Sequence, residues 1–88
     1  MEISYDRVKR DWTLAERGLD FNDTPAVFAG LTMTALDDRH DYGELRWLTY
    51  GYLGKRAVVI VWTEREGGRR IISMRHAHAE EMQNVGLD

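Results

Sequence analysis

The chain has 88 residues, 43% of them hydrophobic and 31% charged, a balance that suits one globular domain over 1–88 and leaves no room for a second core. It has no cysteine, so neither a disulfide framework nor a thiolate metal site can form. No apolar run approaches the roughly 18 residues of a membrane span, and no signal-like apolar stretch opens the chain, so the expected compartment is the cytoplasm, away from any membrane.

The elements read clearly in chain order. Asp6 is a good N-cap for a first helix, along which Val8, Trp12, Ala15 and Leu19 recur on one face. Gly18 suits the left-handed position after its end, with Leu14 and Leu19 as the apolar pair of a Schellman motif. Thr24-Pro25 starts a second, shorter helix that Gly30 stops. The period then changes. Strands are expected over Thr32–Leu36, Glu44–Leu53, Ala57–Thr63 and Arg69–Arg75, with tight turns at Gly54-Lys55 and Gly67-Gly68, and a last helix over Ala77–Val85. This pattern predicts an α+β domain: two N-terminal helices, an antiparallel sheet of about four strands covered on one face by the helices, and a C-terminal helix.

The net charge of −3 conceals an asymmetry. Residues 1–44 carry ten acidic and five basic side chains, whereas residues 45–88 carry five acidic and seven basic ones. Arginine supplies ten of the twelve cations, and its planar fork suits phosphate and carboxylate alike. Arg7, Lys9 and Arg10 fall in the first turn of the first helix, where they oppose the macrodipole. Either nearby acids compensate them, or they join the helix N-terminus in attracting an anion. On the strands, Glu44 and Arg46 share a face, and Arg69, Ser73 and Arg75 share one with Ile71. The meander lets Arg46, Arg65 and Arg75 converge near one end of the sheet, held there by acids or by an anionic ligand.

Other residues admit plainer roles. His76 and His78 lack a third ligand at a recognisable spacing, so no metal is expected. His76 and Glu80 suit a surface pair at the start of the last helix, and His40 a solvated loop. Trp12 reads as core, as does at least one of Trp47 and Trp62. Tyr50 and Tyr52 share a face with Arg46, where they either pack or stack on a base.

Four stretches together resemble one known family. These are Tyr5-Asp6-x-x-Lys9 with Arg17-Gly18-Leu19-x-Phe21 and Val27-Phe28; Asp41-x-Gly43-Glu44-x-Arg46; Trp62-Thr63-x-Arg65; and Arg70-Ile71-Ile72-Ser73-x-Arg75-x-Ala77-x-x-x-Glu81. In that order they resemble the BrnT toxins of type II toxin–antitoxin pairs. The resemblance implies a RelE-like fold, RNA cleavage without metal or other cofactor, arrest of translation, and neutralisation by a BrnA-type antitoxin with a DNA-binding domain. Carried over residue by residue, the catalytic set is Lys9, Glu44, Arg46, Arg65, Ser73 and Arg75. Arg7, Arg10, Tyr50 and Arg70 are candidates for holding the RNA around it. The chain departs from the family's pattern at Thr13, often asparagine, and at Glu16-Arg17, where a Lys-His pair is common.

Metal-free cleavage uses the 2′-hydroxyl as nucleophile, so it needs a base, a leaving-group acid and cations for the developing charge. Glu44 is the candidate base, weakened by neighbouring arginines, and Lys9 or a histidine the candidate acid. The alternative is a catalytically weakened homologue that binds an antitoxin or an acidic peptide. Both self-association and assembly with the antitoxin remain open.

Overall fold

A computed structural model describes residues 1–87. The chain runs β1 (Ile3–Tyr5), α1 (Arg7–Arg17), a single 3₁₀ turn (Phe21–Asp23), α2 (Thr24–Ala29), β2 (Met33–Leu36), β3 (Trp47–Leu53), β4 (Arg56–Arg65), β5 (Gly68–His76) and α3 (Ala79–Asn84). The α+β layout is as expected, but the sheet has five strands in the order β1-β5-β4-β3-β2. The additional strand, β1, pairs in parallel with β5, Ile3 opposite Arg69 and Tyr5 opposite Ile71, so the sheet is mixed. The meander β2 to β5 is antiparallel throughout.

Both ends of α1 follow from local chemistry. The Asp6 carboxylate accepts the Val8 N–H at 3.0 Å, and Gly18 turns left-handed at φ 67°. The Gly18 N–H donates to the Leu14 carbonyl at 3.0 Å, so the ending is the single-bond αL cap rather than the expected Schellman motif. Two hairpins use two-residue loops. Gly54 alone has positive φ in the first, the type II′ arrangement. In the second, Glu66 and Gly67 are both left-handed, at 55° and 77°, so the turn is type I′ and sits one residue earlier than Gly67-Gly68. Glu66 has a Cβ that crowds its carbonyl there. Glu66→Asn is expected to stabilise the fold by about 0.5–1 kcal/mol, read as a higher urea midpoint at unchanged m-value.

The core lies between one sheet face and the segment following α1. Leu19, Phe21 and Val27 pack against Val58, Ile60, Trp62, Ile71 and Met74. Trp62 is fixed further by its indole N–H, which donates to the Thr49 hydroxyl at 2.8 Å, and by an edge-on contact with Phe28. Trp47 packs against the rim of this core. A Cβ at Gly51 would come within 2.8 Å of the Val27 side chain, so only glycine lets α2 settle on β3.

Trp12 is not core: it is 52% exposed, and Thr13 is the buried residue of α1. The helix does not lie across the sheet. It runs beside the stretch of β5 that β1 leaves unpaired, where Arg17 Nη1 donates to the Met74 carbonyl at 2.8 Å and closes that edge. The helices also do not share one face. Tyr52 and Ala57, paired across β3 and β4 on the face opposite the core, border a cleft with Ala79, Met82 and Gln83 of α3. Thus α3 covers one end of the second face and leaves the other end to polar side chains.

Candidate functional site

The β4–β5 register carries a bulge at Ile72: Val61 pairs with Ser73, but Trp62 pairs with Ile71. An extra residue reverses the alternation of side chains. Arg69 and Ile71 therefore face the core with Trp62, while Ser73 and Arg75 face the opposite side with Val61 and Val59. The sequence expectation that Arg69, Ser73, Arg75 and Ile71 share one face is corrected by this bulge.

On the second face the register sets out cross-strand rows. Tyr50, Val59 and Arg75 form one; Leu48, Val61 and Ser73 the next; and Thr63 with Arg70 a third, which Arg46 joins one step beyond the Trp47–Trp62 pair. The Thr63 hydroxyl donates to the Leu45 carbonyl at 2.6 Å, tying the segment before β3 to this row. Arg65, opposite Gly68, lies one row further. Successive rows are about 6.5–7 Å apart. Arg46 and Arg65 accordingly come together at one end of the sheet, through Glu44, but Arg75 does not join them. Antiparallel neighbours end at opposite edges, so Arg65 and Arg75 stand about 20 Å apart along the strands.

Two carboxylates organise these arginines. Glu44 accepts from Arg46 Nε at 3.1 Å and from Arg65 Nη2 at 3.2 Å, one on each oxygen. The hydrogen bond from Arg46, helped by the charges of both guanidinium groups, lowers its pKa. Arg46 also lies over the Tyr42 ring, 4.1 Å from its centroid. Its Nη1 and Nη2 have no partner among the described residues. Glu81 grips Arg75 at 2.9 and 3.0 Å and also accepts the His78 backbone N–H, which brings its carboxyl down to about 2. Among the described residues, Arg70 has no carboxylate partner.

The loop carrying Glu44 and Arg46 rests on a buried acid. Asp37, 4% exposed, accepts from Arg39 Nε at 2.7 Å and Nη2 at 2.8 Å, and from the Tyr42 hydroxyl at 3.2 Å. Its backbone N–H donates to the Arg46 carbonyl at 2.8 Å. Burial opposes ionisation, but the Arg39 bonds win and hold this carboxyl at about 2. Sequence periodicity gave no sign of this hub, because Asp37 lies in an acidic loop that reads as solvated.

The α1 cations divide. Arg10 is held by Asp20 at 2.8 and 2.9 Å and by Asp11 at 2.9 Å, so a neighbouring acidic loop compensates it, as one of the two readings expects. Lys9, with Val8, Trp12 and Arg17, instead borders a groove of about 300 Å³ whose far wall is Ile72 and Ser73. Arg7 is exposed at the start of the helix. At the family's departure points, the Thr13 hydroxyl donates to the Lys9 carbonyl at 2.8 Å and Arg17 seals the β5 edge.

Arg69 escaped sequence reasoning. Its guanidinium lies 3.9 Å from the Phe28 ring centroid and 5.0 Å from that of Trp62, its Nε is buried without a partner among the described residues, and burial lowers its pKa. Strict alternation sets Arg69 beside Ile71 and apart from Arg70, as expected, but it gives no sign of the Phe28 and Trp62 rings that the guanidinium meets. His76 belongs to β5, not to a helix, and its Nε2 meets the Arg17 carbonyl oxygen at 3.0 Å instead of Glu80. His40 is exposed, edge-on to Tyr42.

A family model described as the ribonuclease toxin BrnT of type II toxin–antitoxin systems matches residues 5–81, most of the chain. No curated protein matches the sequence closely enough to add a named relative. Among the described residues, no helix is long and apolar enough to cross a membrane.

Proposed function

The chain belongs to the BrnT family of ribonuclease toxins of type II toxin–antitoxin systems, and from that premise we propose that its second sheet face cleaves single-stranded RNA without metal. Cleavage would arrest translation in the cytoplasm until a BrnA-type antitoxin covers the face. The observation that carries this reading is the row arrangement: Arg65, then Arg46 with Arg70, then Ser73, then Arg75 with Tyr50. Such a track matches successive phosphates of an extended strand better than a single anion, and a fixed fork suits each phosphate. The scissile phosphate sits over Ser73, with arginines in the rows on both sides and Lys9 across the groove.

The chemistry follows from these groups. The 2′-oxygen attacks phosphorus, its proton passes to solvent, and the bond from phosphorus to the 5′-oxygen breaks. Lys9 donates a proton to that leaving oxygen, and the arginines stabilise the charge on the phosphoryl oxygens. Glu44 is better suited to aiming Arg46 and Arg65 than to serving as base, since both its oxygens are engaged and its pKa is lowered. Arg7 lies outside the track and adds attraction at long range.

The test is incubation of the protein with single-stranded RNA in excess EDTA. The expected products carry 2′,3′-cyclic phosphate and 5′-hydroxyl ends. Undiminished RNA binding with intact RNA would instead support the catalytically weakened, antitoxin-binding homologue. The ion pairs of Glu44 and Glu81 favour that second reading, because they neutralise part of the cationic face.

A further inference from the structure

We propose that the groove between α1 and β5 is a nucleobase pocket, in which a base next to the scissile phosphate stacks on Trp12. This rests on the RNA-cleaving reading above. Three observations carry it. The indole is 52% exposed and Val8 beside it 75% exposed, an apolar surface that the fold itself does not cover. The Arg17 guanidinium lies over the indole, 5.0 Å from the ring centroid, and the half-exposed ring still offers surface to a planar guest. The groove of about 300 Å³ is at the small end of ligand sites, suited to a single base rather than an extended ligand.

Charge and continuity favour a nucleotide over an apolar anchor from a protein partner. Lys9 and Arg17 flank the groove, and among the described residues no carboxylate lines it. A protein side chain would bury those cations without return, whereas a nucleotide places its base on the indole and its phosphates near Lys9. Ser73 belongs both to this groove and to the central row of the arginine face, so a strand on that face reaches the groove without crossing another element. Stacking on an aromatic ring tolerates every base, so the pocket adds affinity and register more than sequence choice.

The experiment is fluorescence anisotropy, across a salt series, of a labelled 10-nucleotide single-stranded RNA whose 2′-O-methyl groups remove the nucleophile and so prevent its cleavage. It uses the full chain, Trp12→Ala, Trp12→Tyr and Arg70→Ala, each checked for folding by circular dichroism. Trp12→Ala is expected to weaken binding about 5- to 100-fold, and Trp12→Tyr to recover most of the loss. The salt slope stays unchanged in Trp12→Ala and falls by about one in Arg70→Ala, because only the second loses a phosphate contact. An abasic oligonucleotide should bind Trp12→Ala and the parent chain equally. Unchanged RNA affinity in a folded Trp12→Ala overturns the pocket and leaves the groove to a protein partner. Failure of the parent chain itself to bind RNA overturns the RNA-cleaving reading instead, so the two are separable.

Discussion

Replacing Arg46 with alanine is expected to lower RNA cleavage about 10²- to 10³-fold while leaving the unfolding midpoint nearly unchanged. The guanidinium is fixed before substrate arrives: Nε is held by Glu44 at 3.1 Å and its plane rests on Tyr42. Its two remaining nitrogens, which have no partner among the described residues, can meet phosphoryl oxygens as negative charge grows, with little reorganisation. The ion pair is partly exposed and screened by solvent, so its contribution to stability is small. Single-turnover cleavage in EDTA separates this effect from binding. Glu44→Gln is the informative companion. A neutral amide still accepts one guanidinium bond, so it should keep much of the activity if Glu44 orients and lose nearly all of it if Glu44 is the base. Equal cleavage by the parent chain and Arg46→Ala would remove Arg46 from the site.

Asp37→Ala is expected to destabilise the fold by about 2 kcal/mol and to loosen the segment that carries Glu44 and Arg46. The carboxylate side chain is inaccessible and collects bonds from Arg39 and Tyr42, so removing it leaves those donors without their acceptor. Arg39 is 55% exposed and can rehydrate, which keeps the loss below that of a fully buried pair. The same group gives the chain an acid limit. Asp37 and Glu81 both have pKa values near 2 when folded, below the roughly 4 of an unfolded carboxyl. A lowered pKa stabilises above the unfolded value, so this contribution is complete above about pH 4 and lost as the pH falls towards about 2. Urea midpoints measured from pH 7 downwards should drop in that window, and Asp37→Asn should flatten the drop. An unaltered pH dependence in that variant would show that Asp37 is not a source of it.

Much of this architecture was legible from local signals. Asp6 and Gly18 bracket α1 because capping acts within four residues, and both hairpin turns announce themselves in their glycines. What escaped depends on distant partners. The three residues of β1 are too few to show a period, and they become a strand only because β5 is there to pair with them. Trp12 has core spacing, but α1 lies along an edge, and an amphipathic pattern cannot say whether its apolar side has a sheet beneath it. The site was legible as residue types rather than as geometry. The family pattern picked out the arginines on the second face, yet the bulge at Ile72 decided which side of the sheet each β5 residue takes. Strand direction then kept Arg46 and Arg65 together on Glu44 and set Arg75 at the other end of the face.

The parallel pairing of β1 with β5 also bears on how the molecule comes into being. During synthesis the amino-terminal strand emerges early and stays without a partner until the ribosome has delivered Gly68–His76. The Glu2 carbonyl then accepts the Arg69 N–H at 2.8 Å, passing so near Gly68 that a Cβ there would lie 2.6 Å from the carbonyl oxygen. A chain cut short before β5 lacks Arg70, Ser73 and Arg75 and also the strand that joins β1 to β4. The sheet therefore closes around β1 only after β5 has been made, a vectorial sequence of events set by strand order.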